Sequence, residues 1–231
     1  MSEPIKIIDK IYQIGGPNLT DIRDGAIYLI DLGELILIDA GSGFGFKKTI
    51  KNIEHLGYRP SDISAIILTH CHVDHIGGAH LFKENLGTTL IMHELDAEIA
   101  QRADIRLTAA FCFEVDFKPL FVDLKLKGEE VRLNFGSQEI VCIHTPGHTP
   151  GSICVYLDID GKRVLFAQDM GAPLLKEFDC NPNAWVRSID KLFYINPDIL
   201  CDGHSGAYKS KQLVRQYLQF CIDKQLELGY L

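Results

Sequence analysis

The sequence predicts an α/β protein, an αββα sandwich of two mixed β-sheets with helices on the outer faces. Three observations carry that expectation. Apolar runs of strand length alternate with helix-period segments through residues 5–92. A second series of strand-length runs over 131–167 is followed by two more helical segments, so the chain reads as two sheet-plus-helix halves in weak pseudo-symmetry. The apolar run Ile66-Ile67-Leu68 passes directly into Thr69-His70-Cys71-His72-Val73-Asp74-His75-Ile76-Gly77-Gly78. That puts a donor-rich stretch at a strand's carboxyl end, where open α/β sheets hold their ligands.

Taken in order, residues 5–14 and 26–31 read as a first pair of strands around Gly15-Gly16-Pro17-Asn18. A strand from Glu34 to Ile38 ends at Asp39, and Phe46–Leu56 carries apolar positions at helical spacing before Gly57. After the organising strand, Ile76–Leu86 reads as a helix closed by Gly87, followed by a strand over Thr88–Met92. From His93 to Lys127 the pattern loosens, with one or two helices over 96–113 and no clear periodicity after them. His93-Glu94-Leu95-Asp96-Ala97 opens like a zinc-protease helix, but Ala97 stands where a second histidine is needed, so His93 is a packing residue. Four strands follow at 131–135, 139–144, 152–156 and 163–167, with Asp160-Gly161 as a hairpin turn between the last two. A helix over 184–194, a short strand over 198–201 and an amphipathic helix over 211–228 complete the chain.

A chain of 231 residues with 46% hydrophobic content fits one domain spanning 1–231. The net charge of −8 and the scattered Lys and Arg disfavour nucleic acid as a partner. No apolar run approaches the roughly 18 residues of a membrane span, and Met1-Ser2-Glu3-Pro4-Ile5-Lys6 carries no leader signature, so a cytoplasmic protein without membrane attachment is expected. Seven cysteines, without a Cys-x-x-Cys pair, predict reduced thiols. The partner expected is a small-molecule substrate; the oligomeric state stays open, a homodimer included.

On an extended segment alternate side chains share a face, so His70 and His72 point together and Cys71 points away. Asp74 and His75, entering a helix, lie beside that pair. A catalytic zinc takes about three protein ligands and a water, so two ions need six or seven protein ligands. Further donors stand in turn-rich stretches after apolar runs: His148 in Pro146-Gly147-His148-Thr149-Pro150-Gly151, Asp169 in Gln168-Asp169-Met170, and His204 in Asp202-Gly203-His204-Ser205-Gly206. His55 and His80 fall on helical surfaces, and His144 is either a satisfied core histidine or a support beside the ligands.

These motifs, in this order, resemble the metallo-β-lactamase-fold hydrolase superfamily, in its glyoxalase II-like and lactonase-like branch. The resemblance covers residues from about 5 to 206. It implies the metallo-β-lactamase fold and two divalent metal ions, with zinc favoured and iron or manganese also accommodated. By the same resemblance His70, His72 and His148 bind one ion, Asp74, His75 and His204 the other, and Asp169 bridges them. Asp39 becomes a carboxylate that orients a ligand histidine. The implied activity is hydrolysis of a small ester, thioester or lactone by a hydroxide shared between the ions, with Asp74 and Asp169 in the catalytic machinery.

The family's insertion between the metal-binding halves commonly covers the substrate, which makes 94–122 a candidate lid; a packing helix away from the site is the alternative. Two departures bear on substrate: Gln168-Asp169-Met170 replaces the Gly-Asp-Thr of the glyoxalase II branch, and the later basic cluster of that branch has no match. Tyr208 is the lactonase-like tyrosine candidate. A second class is a mononuclear iron persulfide dioxygenase holding its ion through two histidines and Asp169, and a third is a metal-binding protein without catalysis.

Overall fold

The computed structural model describes residues 3–231. The first four strands, β1 (Ile5–Ile8), β2 (Ile11–Gly15), β3 (Ile27–Asp31) and β4 (Leu35–Ile38), pair antiparallel in chain order. Helix α1 (Phe46–His55) leads to β5 (Ile63–Leu68), and helices α2 (Val73–Ile76) and α3 (Ala79–Leu86) lead to β6 (Thr89–His93). Helix α4 (Glu94–Gln101) and an irregular stretch precede β7 (Leu124–Leu126). Strands β4 to β7 run parallel and complete a seven-stranded mixed sheet.

The second sheet has six strands. Strands β8 (Glu130–Phe135), β9 (Gln138–His144), β10 (Ile153–Ile159) and β11 (Lys162–Phe166) are antiparallel neighbours. Helix α5 (Pro182–Ile195) returns the chain to β12 (Ile199–Cys201), parallel to β11; β13 (Ala207–Tyr208) and helix α6 (Lys211–Glu227) follow.

Strand alternation explains why β4 and β5 read as unbroken apolar runs: both of their faces are buried. Leu35, Leu37, Ile66 and Leu68 pack outward on Ile53 of α1, Ile76 of α2 and Phe82 of α3. Ile36, Ile38, Ala65 and Ile67 point the other way, against Ile140, Val155, Val164 and Phe166 of the second sheet. The second sheet repeats the device, turning Val141, Ile143, Leu165 and Leu200 toward Trp185 and Ile189 of α5 and Leu218 of α6. Each such aliphatic side chain contributes about 1.5–3 kcal/mol of burial. The result is four layers, helix, sheet, sheet, helix, as the two-halves pattern predicts.

Local signals place the helix ends. In α5 the Asn181 side chain accepts from the Ala184 amide at 3.0 Å, and Pro182 fills the first turn. In α6 the Ser210 hydroxyl does the same for Leu213 at 3.2 Å. Gly87 closes α3 in the left-handed region at φ 73°.

Five elements differ from expectation. Residues 5–14 form two strands, not one, because Lys10 turns the chain at φ 63°. The helix expected over 76–86 is divided at Gly77-Gly78, where the backbone packs on the 40–43 loop: the Gly78 amide donates to Gly41 O at 2.9 Å. Only 94–101 of the loosely patterned stretch is α-helical, with a single turn at 110–113. Strands β7 and β13 were not expected; at three and two residues they are too short to show a period. Among the described residues no helix is long and apolar enough to cross a membrane.

Candidate metal centre

The carboxyl ends of β4, β5 and β11, and the loops after β9 and β12, converge at one edge of the two sheets. They bring seven of the predicted donors into two groups: His70, His72 and His148 in one, and Asp74, His75, Asp169 and His204 in the other. Within each group the ligand atoms lie within 4.8 Å of one another, and all but His204 are buried.

The spacing can be tested against metal chemistry. Metal–nitrogen and metal–oxygen bonds of about 2.0–2.2 Å give tetrahedral edges of about 3.3–3.6 Å between ligand atoms. In the second group His75 Nε2 lies 3.4 Å from Asp74 Oδ2, 3.3 Å from Asp169 Oδ1 and 3.4 Å from His204 Nε2. His204 Nε2 lies 3.3 Å from Asp74 Oδ2 and 3.0 Å from Asp169 Oδ2. In the first group His148 Nε2 faces His72 Nδ1 at 3.0 Å, and Asp169 Oδ2 reaches to 3.7 Å from His148 Nε2 and 3.9 Å from His70 Nε2. Asp169 is thus the side chain common to both. His70 Nε2 and Asp169 Oδ1, both directed into the cluster, have no hydrogen-bond partner among the described residues. Buried donors and acceptors are rarely left so without a further ligand. Five imidazoles and two carboxylates in this arrangement fit divalent ions.

Asp39 sits behind the cluster, as expected, and reaches further than a single ring. Its Oδ2 accepts from His75 Nδ1 at 2.7 Å and from Thr69 Oγ1 at 2.8 Å, and that hydroxyl accepts in turn from His70 Nδ1 at 3.1 Å. Both rings are therefore held with Nε2 turned to the cluster. Asp39 and Gln168 lie in the left-handed region at φ 63° and 44°, each at the end of a strand that feeds the site. Such backbone strain persists where surrounding contacts over-determine it; here the Gln168 side chain accepts from the Asp169 amide at 2.9 Å.

Electrostatics divide the histidines into two sets. Burial pushes His70 well below its ordinary value, His72 down to about 3 and His148 down as well, and their imidazole neighbours add to the effect for His70 and His72. They are neutral lone-pair donors. His204 is raised to about 10, chiefly by Asp169, and the carboxylates of Asp169, Asp74 and Asp39 reverse the effect of burial on His75 and raise it too. Burial alone would raise Asp169, but His75 and His204 pull it well below the ordinary carboxylate range. In the second group the carboxylates thus draw positive charge onto His75 and His204, a charge that a bound cation would supply in its place.

Three further aspartates hold the loops, and the sequence did not single them out for this. Asp96 accepts from the Cys71 amide at 2.8 Å, Thr149 Oγ1 at 2.6 Å and the Gly151 amide at 2.6 Å, bracketing the His70–His72 loop to the His148 loop. Asp202 accepts from the His204 amide at 3.0 Å, from the Ser205 amide at 2.8 Å and from the Tyr217 hydroxyl. Asp24 accepts from Thr20 Oγ1 at 2.6 Å and the Ser42 amide at 2.9 Å, joining the 15–20 and 41–46 loops.

The remaining predicted residues lie outside the two groups. Cys71 points into the core with its thiol on Leu107 O at 3.4 Å, as strand alternation requires. His93 stacks on His144 at 4.1 Å, and His144 Nε2 donates to Pro150 O at 2.9 Å. His55 and His80 are exposed. Tyr208 bonds to Ser205 Oγ at 3.0 Å and lines, with Asp169 and His204, a cavity of about 400 Å³ beside the second group. The 94–122 segment is divided: Ala97, Ala100, Leu107, Ala110, Phe117 and Leu120 pack into the core under the first sheet, while Ile105, Phe111 and Phe121 are exposed.

The Metallo-beta-lactamase superfamily model matches residues 20–204, a span that holds all seven clustered donors. A probable metallo-hydrolase of Methanocaldococcus jannaschii is 33% identical over 128 residues, 55% of this chain and 60% of the relative. A hydroxyacylglutathione hydrolase from a Chelativorans species is 28% identical over 166 residues, 70% of this chain and 53% of the relative. The chain thus spans about 60% or less of the length of these curated relatives. Among solved structures, BJP-1, a subclass B3 metallo-β-lactamase of Bradyrhizobium japonicum, matches with a TM-score of 0.76 at 26% identity, covering 98% of this chain and 94% of that one.

Proposed function

Because the chain belongs to the metallo-β-lactamase superfamily, we propose that it is a metal-dependent hydrolase that cleaves a small ester, thioester or lactone at a two-ion site. The observation that carries this reading is Asp169, whose two oxygens face both donor groups. His70, His72 and His148 would hold one ion, Asp74, His75 and His204 the other, with Asp169 shared. Zinc suits this set of imidazoles and carboxylates. Divalent ions bound there supply a water with its pKa lowered toward about 7 and Lewis acidity for the carbonyl oxygen.

The chain's own groups do the rest. Asp39 and Thr69 keep the lone pairs of His70 and His75 aimed inward, so no ring has to reorient during the reaction. Asp74 Oδ2 stands at the face of the second group, within 3.3 Å of His204 Nε2. It takes the proton released when water oxygen bonds the acyl carbon and passes it to the departing oxygen or sulfur. The leaving group then sits on the His204 side, in the cavity of about 400 Å³. That volume and the net charge of −8 favour a small substrate over a polyanion.

The test is metal content per chain by mass spectrometry on protein purified without added metal, read beside turnover of thioesters and lactones. Two ions per chain and turnover that chelation abolishes are expected, with His80→Ala indistinguishable from wild type. One iron per chain with oxygen uptake on glutathione persulfide overturns the reading in favour of a dioxygenase. Full metal loading with no turnover across those substrates leaves a binding protein instead. Asp39→Ala is expected to weaken metal affinity roughly 10–100-fold, as loss of an outer carboxylate does, measured by competition with a calibrated chelator.

A further inference from the structure

One aromatic ring meets the first donor group and a second lies against the first ring, and the chemistry proposed above uses neither. The Phe178 ring meets His72 edge-on, with centroids 5.3 Å apart at 64°. Phe111 lies 6.1 Å from Phe178 at 33° and is 53% exposed, a large apolar ring left facing solvent beside Phe178. The two come from segments far apart in sequence, which Arg106 joins. Its guanidinium bonds both oxygens of Asp179, at 2.9 and 3.1 Å, and the Glu177 carbonyl at 2.5 Å. At the other end of the segment, the Cys180 thiol donates to His148 O at 2.9 Å and the Asn181 amide to Gly147 O at 2.8 Å. Phe178 is thus pinned between Arg106 and the His148 loop.

Phe111 is presented by a fixed turn. Ala109 and Glu114, both in the left-handed region at φ 55° and 54°, bracket it, and Ala110 beside it is fully buried. Thr108 O accepts from the Val73 amide at 2.8 Å, tying the turn to the start of α2.

We propose that Phe111 and Phe178 form the acyl-group wall of the site, and that the substrate carries an apolar, aromatic-sized acyl group. This rests on the hydrolase reading, which puts the leaving group on the His204 side and so leaves the acyl group beside His72. The 94–122 segment then contributes to substrate choice as a rigid wall. Arg106 acts as a positioning residue: exposed ion pairs add little stability, but a bidentate guanidinium fixes the angle at which the 176–180 segment crosses His72.

The experiment compares phenylacetyl and acetyl thioesters of one thiol, and separately titrates the metal-loaded protein with phenylacetate and acetate by calorimetry. In wild type the phenylacetyl substrate is favoured in kcat/KM by roughly 10–100-fold, the size of burying one phenyl ring, and phenylacetate binds tighter than acetate by a similar factor. Phe178→Ala and Phe111→Ala collapse both ratios toward unity, and Arg106→Ala lowers them with metal content per chain unchanged. Phe111 is half exposed, so its truncation keeps the test valid even if Phe178→Ala folds poorly. Equal binding of the two acids by wild type, or ratios that survive both Phe variants, overturns the wall. A binding preference without any hydrolysis overturns the hydrolase reading and leaves the wall standing as an acid-binding surface, so the two failures are distinct.

Discussion

Asp169→Ala is expected to lower turnover by on the order of 10³-fold or more, the equivalent of several kcal/mol of lost charge stabilisation. The geometry explains why this residue outweighs any single histidine. Its Oδ2 is 3.0 Å from His204 Nε2 and 3.7 Å from His148 Nε2, and its Oδ1 is 3.3 Å from His75 Nε2. Truncation therefore removes a donor from both groups at once, together with the carboxylate that acts most strongly on both His75 and His204. His204→Ala provides the contrast: it takes a half-exposed ligand from the second group alone and should cost one ion of two. Metal analysis and thermal unfolding with and without chelator read the difference. A ligand at 100 times its Kd adds about 2.7 kcal/mol to stability, and most of that chelator-sensitive increment should be missing in Asp169→Ala. Full metal content, or turnover within tenfold of wild type, would sink the bridging role.

The legible part of this site was the part written in consecutive residues. His70 and His72 follow a strand whose alternation turns them together and Cys71 away, and Asp74 and His75 come next at the start of α2, where the structure places them beside that pair. Asp39 ends the neighbouring parallel strand beside Thr69, but its role was legible only through the family resemblance, since a strand-end aspartate reads equally as a turn residue. Asp96 and Asp202 were not, because their partners are backbone amides in other loops, and a lone aspartate in a polar stretch carries no mark of which amide it will meet. Phe111 and Phe178 were hidden for a related reason. Each lies in an irregular segment without periodicity, and contacts across 71 and 73 residues of sequence, from Arg106 to the Glu177 carbonyl and to Asp179, bring the segments together. The divided helix at Gly77-Gly78 shows the same limit: the apolar period continues through the break, and what interrupts it is close approach of the 40–43 loop. Periodicity reports which face is buried; it does not report which backbone lies against it.

Gly147→Ala is the second change with a large expected effect, and it acts through the backbone. Gly147 adopts φ 140°, a conformation side chains rarely enter, and a Cβ there would stand 2.5 Å from the Cα and 2.6 Å from the amide nitrogen of Trp185. Neither neighbour can yield easily. Trp185 is 1% exposed in the core between the second sheet and its helices, its indole donates to Met170 O at 3.2 Å, and its amide belongs to the first turn of α5. Left-handed strain costs about 1–3 kcal/mol and overpacking about as much again, so a loss of about 2–5 kcal/mol is expected. For a domain of this size that lowers Tm by roughly 5–15 °C. Gly161→Ala, at φ 71° with nothing within 4 Å of its Cβ, isolates the conformational part and should cost about 1 kcal/mol. The substitution should also reach the metals, because the Asn181 amide and the Ser188 hydroxyl hold this loop to α5 through Gly147 O and Pro146 O, at 2.8 and 2.7 Å, and His148 is the next residue. A variant destabilised as expected but fully loaded would show that the loop moves as a unit and carries His148 with it. A variant that loses metal in proportion to its stability would show that α5 sets the position of the ligand.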